Sequence, residues 1–306
     1  MTNATLPDVY QEYLDALLES GLLIASGVPG VYGKGQVFED ILDRVNRGAA
    51  ESGRDLQAEV LSFPPVLNKK LLEKTGYLQS FPHLTGTVHS FFGNEHDHAA
   101  VLDEVAAGEA WTARFSSTDV VLCPASCYPV YPYATGTLPV GGRTIDVQSY
   151  CFRHEPSGDP ARLQSFRMHE FVRLGLPDDV QAFRDMWLDR GQVYLKALGL
   201  DVRAEVANDP FFGRGGKILA ESQRGQALKF ELVVPICSTE RPTALVSCNY
   251  HQDHFAQKFD IKTSDGECAH SACVGFGLER ITLALFKTHG LTPATWPVEV
   301  RRTLGL

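Results

Sequence analysis

Two stretches of this 306-residue chain combine residue types able to bind and activate an anionic ligand. The first runs Cys151-Phe-Arg-His-Glu-Pro-Ser-Gly-Asp-Pro-Ala-Arg-Leu-Gln-Ser-Phe-Arg-Met-His-Glu170. It reads as a strand ending in Arg153 and Glu155, a polar loop with glycine and two prolines, and a second strand carrying Phe166 and Glu170. Arg153 and Arg162 frame the loop, and guanidinium groups suit phosphate because they stay charged and present a rigid fork of donors. Phe166 offers an aromatic face to a purine ring. A surface hairpin with a salt-bridged turn would have the same composition. The second stretch is Gly275-Phe-Gly-Leu-Glu-Arg280, read as two glycines opening a helix so that backbone can approach a ligand, with an acid and a guanidinium behind them.

Cysteines and histidines supply a second set of candidates. Cys123 and Cys127 precede the first stretch, and Cys268 and Cys273 precede the glycines. Their spacing is not that of a zinc knuckle, and buried thiols packing as small apolar groups are the ordinary outcome. His83, His89, His96 and His98 resemble no ligand set and are read as surface or core residues, with His96 and His98 able to share a strand face. Strand alternation turns His154 and His169 away from Arg153 and Glu170. Residues 27–35 are Gly-rich, but their spacing is wrong for a phosphate-binding loop and Gly35 stands where a hydroxyl is needed. They are expected to form a loop between two helices.

The elements that must position these groups show in the hydrophobic pattern. Val9, Tyr10, Tyr13, Leu14, Leu17 and Leu18 recur at helical spacing, as do Phe38, Ile41, Leu42 and Val45. Strands are expected at 120–122, 144–152, 164–172, 228–234 and 245–248, a long amphipathic helix at about 180–198, and a closing helix from Gly277. Strands that follow one another without a helix between them favour an antiparallel sheet and an α+β fold. The simplest division is a helical N-terminal segment, 1–58, and a catalytic domain, 59–306.

A net charge of −9 opposes a large nucleic-acid footprint, which depends on Lys and Arg neutralising phosphates. Seven cysteines, an odd and scattered number, fit a reducing compartment better than a disulfide scaffold. No apolar run is long enough to span a membrane, and the N-terminus lacks the pattern of a secretory signal. A cytoplasmic protein is expected.

Taken together, the two anion-binding stretches resemble motifs 2 and 3 of the class II aminoacyl-tRNA synthetases. The order Phe152-Arg153-x-Glu155, loop Arg162, Phe166-x-x-x-Glu170 carries the first match, and Gly275-x-Gly277-x-Glu279-Arg280 the second. The resemblance implies an antiparallel sheet flanked by helices, in a homodimer. It implies that Arg153 contacts the α-phosphate of ATP, that Glu155 and the loop hold the adenine end, that Phe166 stacks on the base and that Arg280 binds the γ-phosphate. Lys229-Phe-Glu231 resembles the strand that brings a carboxylate near substrate and Mg²⁺. Charge neutralisation and alignment suffice for a carboxylate to attack the α-phosphate, so no enzyme nucleophile is required.

Within that class, the chain resembles the atypical seryl-tRNA synthetases of methanogens and their truncated bacterial relatives, which bind a catalytic zinc ion through Cys, Glu and Cys. The matching positions are Cys127, Glu170 and Cys273, with Cys123 competing for the first. Three protein ligands leave one position open, which an α-amine fills as its free base. A full seryl-tRNA synthetase carries a large tRNA-binding domain, which is missing here. The chain therefore resembles most the amino acid:[carrier protein] ligases, from about Glu59 onward and including residues 208–217. That resemblance implies activation of glycine, or of alanine, with ATP and transfer to the phosphopantetheine thiol of a small carrier protein, and no use of tRNA. It also implies docking of the carrier near 209–216. A stand-alone seryl-type tRNA ligase core and an inactive regulatory paralogue are the alternatives.

Overall fold

Strand alternation in Ser165–Gly175 fixes the layout of the whole molecule. Phe166, Met168, Glu170 and Val172 project from one face, and Arg167, His169 and Phe171 from the other. Both faces are covered. Val172 and Met168 join a core with Cys127, Tyr131, Cys151, Phe255 and Cys273, whereas Phe171 belongs to a larger core with Phe38, Trp187 and Phe276. A strand buried on both faces lies at the centre of its sheet.

The computed structural model describes residues 6–306. Among these, the main sheet has seven strands. Across it lie Arg203–Val206, Lys229–Val234, Thr243–Gln252, His270–Gly277, Ser165–Gly175, Arg143–Phe152 and Glu59–Ser62. Neighbours are antiparallel throughout except at the last pair, where Glu59–Ser62 runs parallel to Arg143–Phe152. The fold is α+β. A three-stranded sheet of Val66–Asn68, Phe115–Leu122 and Thr87–Phe91 stands apart from it, so the expected strand at 120–122 is the end of a peripheral element. Among the described residues, no helix is long and apolar enough to cross a membrane.

Helices fill the face opposite the site. Pro177–Ala197 opens on a proline and two aspartates, which suit a first turn with free N–H groups and a positive dipole end. Its buried stripe is Val180, Phe183, Trp187, Tyr194 and Leu195. Tyr194 donates to the Val45 carbonyl at 2.8 Å, tying this helix to Gln36–Ser52. Close approach there requires Gly48, since a Cβ would lie 2.4 Å from the Tyr194 hydroxyl. Trp187 is fully buried against Phe171, and truncating it would cost about 3–5 kcal/mol.

Three local expectations are corrected. Residues 27–35 do not form a plain loop between helices: Leu23–Val28 and Val31–Lys34 form a hairpin. Gly30 at its tip has φ +77° and a carbonyl that accepts from the Gln164 N–H at 2.8 Å, so the hairpin buttresses the loop of the first motif. Gly275 does not open a helix but lies inside the strand His270–Gly277, and the helix Leu278–His289 starts after Gly277. His96 and His98 share a helix, Glu95–Ala107, rather than a strand, because Asn94 and Asp97 build a capping box ahead of it.

Candidate active site

Gly275 pairs with Glu170 across the sheet, and Cys273 pairs with Val172 on one side and Asn249 on the other. A Cβ at Gly275 would lie 2.8 Å from Met168 Cε and 3.4 Å from Glu170 Cγ. Glycine there keeps the floor open beside the carboxylate, which is a reason for it other than helix initiation. Above this floor opens a cavity of about 600 Å³. Cys127, Arg153, Glu155, Phe166, Glu170, Lys229, Glu231, Cys273 and Arg280 all line it.

Cys127, Glu170 and Cys273 are buried and bring their ligand atoms within 4.8 Å of one another. Cys127 comes from the loop before the short helix Val130–Tyr133. That loop lies on the central strand: the Ser126 N–H donates to Glu170 Oε1 at 2.6 Å, and the Ser126 hydroxyl to the Met168 carbonyl at 3.0 Å. Burial, and then the charge of Cys273, pushes the Glu170 carboxyl up to about 7. The Cys127 thiol is held well above the ordinary thiol range, first by its hydrogen bond with Cys273 and then by burial, while Cys273, bonded also by His251 and Asn249, falls well below it. Two sulfurs and one carboxylate at this separation, buried and with no ion pair to Glu170 among the described residues, fit a zinc ion with one open position. Cys123 stands aside, its thiol donating to the Ala125 carbonyl at 3.1 Å.

Arg153 and Arg280 also line this cavity. Arg153 Nε donates to the Pro124 carbonyl at 3.0 Å, and its guanidinium lies over the Phe166 ring, 5.4 Å from the centroid. Arg280 donates to the carbonyls of Ala161 and Ala244 at 3.0 and 3.1 Å. Among the described residues neither arginine has a carboxylate within ion-pair distance. Burial, with Arg162 and Arg153 nearby, lowers the pKa of Arg280, so an anion beside it would be favoured. Arg162 differs from the rest: it is half-exposed, outside the cavity wall, and bonded to Glu155 at 2.6 Å. Lys229 lies buried between Asp209 and Glu231, at 2.6 and 2.9 Å.

His154 is exposed and His169 is buried on the opposite face, where its Nδ1 meets Asn46 Oδ1 at 2.7 Å, as alternation predicts. Sequence reasoning did not single out the Ser126 amide, Asn249 or His251. Asn249 and His251 sit two residues apart on Thr243–Gln252, and only the pairing of that strand with His270–Gly277 brings them to Cys273.

No family model matches the chain. Amino acid–[acyl-carrier-protein] ligase 2 of Bradyrhizobium diazoefficiens is 48% identical over 291 residues, 94% of this chain and 87% of that protein. Ligase 1 of the same organism is 46% identical over 304 residues, covering 98% and 93%. The chain belongs to the amino acid–[acyl-carrier-protein] ligases. It is an enzyme, a ligase. This ligase is also 29% identical over 199 residues to the type-2 serine–tRNA ligase of Methanococcus aeolicus, covering 60% of this chain and 37% of that protein. In structure it matches M. kandleri SerRS, solved in complex with A. aeolicus tRNASec, with a TM-score of 0.81, 20% identity and coverage of 97% of this chain and 60% of that one. A cytoplasmic serine–tRNA ligase of Naegleria fowleri gives 0.72 at 15% identity, covering 96% and 59%. The fold is thus that of class II aminoacyl-tRNA synthetases.

Proposed function

We propose that the ligase activates a small amino acid, glycine before alanine, as its adenylate and passes the acyl group to the phosphopantetheine thiol of a carrier protein. The observation that carries this reading is one cavity lined both by the Cys127–Glu170–Cys273 cluster and by Arg153 and Arg280, which have no carboxylate within ion-pair distance among the described residues. An amino acid with its amine at the cluster and its carboxylate toward the arginines is aligned for in-line attack on the α-phosphate of ATP. In the first step a carboxylate oxygen bonds to that phosphorus and the bond to the β-phosphate breaks, releasing pyrophosphate. In the second the carrier thiol attacks the acyl carbon, AMP leaves, and the thiol proton goes to solvent.

Bound by Cys127, Glu170 and Cys273, zinc would supply a Lewis-acid site for the free amine. Arg153 neutralises the α-phosphate across Phe166, which stacks the adenine. Glu155, with Arg162 on its outer side, holds the far end of the base, and Arg280 receives the γ-phosphate. Glu231 faces the Mg²⁺ of the nucleotide, with Lys229 beside it. A single methyl group changes discrimination by only about 1–3 kcal/mol, so alanine is accepted less well rather than excluded. Residues 59–306 form the catalytic unit and 1–58 support it, in a cytoplasmic homodimer that does not use tRNA.

The test is amino-acid-dependent ATP–pyrophosphate exchange across the twenty amino acids, followed by transfer to a holo carrier protein. Arg280→Ala should abolish the exchange, and unchanged exchange would remove the γ-phosphate assignment. Charging of tRNA by the purified chain, without transfer to a carrier, would replace this reading with a tRNA ligase.

A further inference from the structure

Lys229 and Glu231 point to the same side of their strand, so their ion pair follows from alternation. The third member of the group does not. Asp209 comes from the segment between Arg203–Val206 and the helix Gly213–Gly225, and its Oδ1 lies closer to Lys229 Nζ, at 2.6 Å, than Glu231 Oε1 does, at 2.9 Å. Gln223 of that helix fixes the aspartate twice. Its Nε2 donates to Asp209 Oδ2 at 2.8 Å, and its Oε1 accepts from the Asp209 N–H at 2.7 Å. Ala207 N–H donates to the Lys229 carbonyl at 3.0 Å, so backbone and side chain tie the segment to one residue.

Charge counting gives this arrangement a purpose. A buried ammonium with one carboxylate forms a closed, neutral pair, and that carboxylate is spent. With two carboxylates the group carries a net negative charge, and one oxygen set is left for another cation. Asp209, short and clamped by Gln223, makes the nearer contact with the ammonium, and Glu231 shares it at 2.9 Å. We propose that Asp209 is a positioning residue: by sharing Lys229 it leaves the Glu231 carboxylate only partly neutralised toward the cation of Mg·ATP, and Gln223 makes that sharing depend on the helix Gly213–Gly225. The inference rests on the ATP reading above and deepens it.

Asp209→Asn keeps the shape and the acceptor for Gln223 while removing the charge. Glu231 should then be the one charged partner left to Lys229 and be neutralised by it. Mg·ATP affinity, measured by titration calorimetry on the full chain, should fall roughly ten- to a hundredfold, the worth of one charged hydrogen bond. Raising free Mg²⁺ should recover most of that loss, because the cation competes with Lys229 for Glu231. Gln223→Ala should shift affinity in the same direction by a few-fold, roughly the worth of a neutral hydrogen bond. Wild-type affinity in Asp209→Asn, or a loss equal at all Mg²⁺ concentrations, would overturn the proposal. Should Asp209→Asn fail to fold, Gln223→Ala decides by the same two criteria. Failure of the parent reading looks different: the wild-type protein itself would then show no exchange with any amino acid, whatever its nucleotide titration gives.

Discussion

Replacing Glu279 with glutamine keeps the shape of a buried side chain and removes a charge that joins four parts of the fold. Glu279 is 1% exposed. It accepts from the Arg167 N–H at 2.7 Å and from Arg167 Nε at 2.9 Å, and Lys34 Nζ lies 3.6 Å away. Arg167 also makes a bidentate pair with Glu39 at 2.7 and 2.8 Å. The hairpin, the central strand and the helix bearing Arg280 thus meet at one carboxylate, and Arg167 ties the helix Gln36–Ser52 into the same network through Glu39. Removing one partner of a buried pair costs about 3–5 kcal/mol when the other charge is left alone. Here Arg167 keeps Glu39, but that carboxylate is partly exposed and screened, so it offsets only a fraction. We expect Glu279→Gln to lose roughly 2–4 kcal/mol in urea unfolding at neutral pH. Arg167→Met paired with it in a double-mutant cycle should show coupling above about 1 kcal/mol. A loss below about 0.5 kcal/mol, the scale of surface substitutions, would refute the claim that this charge network holds the four elements together.

Two other perturbations test separate parts of the structure. Cys273→Ser should lose bound zinc and amino acid activation together, measured by metal analysis and pyrophosphate exchange on one preparation; a zinc-replete, active variant would rule out the cluster as the metal site. The Glu39 carboxyl is held below its ordinary value of 4.5, first by its hydrogen bonds from Arg167. A depressed carboxyl stabilises the fold above the ordinary value and ceases to do so as pH falls through the folded one. The melting-temperature difference between wild type and Glu39→Gln should therefore be constant above about pH 5 and shrink below about pH 4.5; a difference that grows on acidification would contradict the pairing.

Part of the cavity wall could be read from residue order because Phe166, Glu170, Lys229 and Glu231 sit on strands with a period of two, where spacing fixes the face. Phe166 and Glu170 share a face for that reason, as do Lys229 and Glu231. The long helix was legible from apolar spacing within three residues of its limits at Pro177–Ala197, and the start of the closing helix within one residue of Leu278. Other features resisted for identifiable reasons. The hairpin at 23–34 carries three glycines, which weaken strand propensity, and forms because a Pro-Gly turn reverses the chain. His270–Gly277 is buried along its length, so it lacks the alternation that marks a strand with one wet face. Arg162 matched a motif position, yet its side chain is engaged with Glu155 outside the cavity wall.

By itself, the sequence carried the resemblance to the class II synthetase motifs, through the order of Arg153, Glu155, Phe166, Glu170 and Arg280, whereas those residue types alone suit a salt-bridged surface hairpin as well. It determined the α+β class too, because periodicity is a local property. The tertiary structure decided which groups meet. Cys127, Glu170 and Cys273 are separated by 43 and 103 positions, yet strand register and the Ser126 amide bring them within 4.8 Å. The choice of Cys127 over Cys123 for that cluster, the clamp of Gln223 on Asp209 and the meeting of Lys34, Glu39, Arg167 and Glu279 have no local signature. Each depends on contacts between distant segments, and burial then gives those contacts their energetic weight by removing water from around the charges.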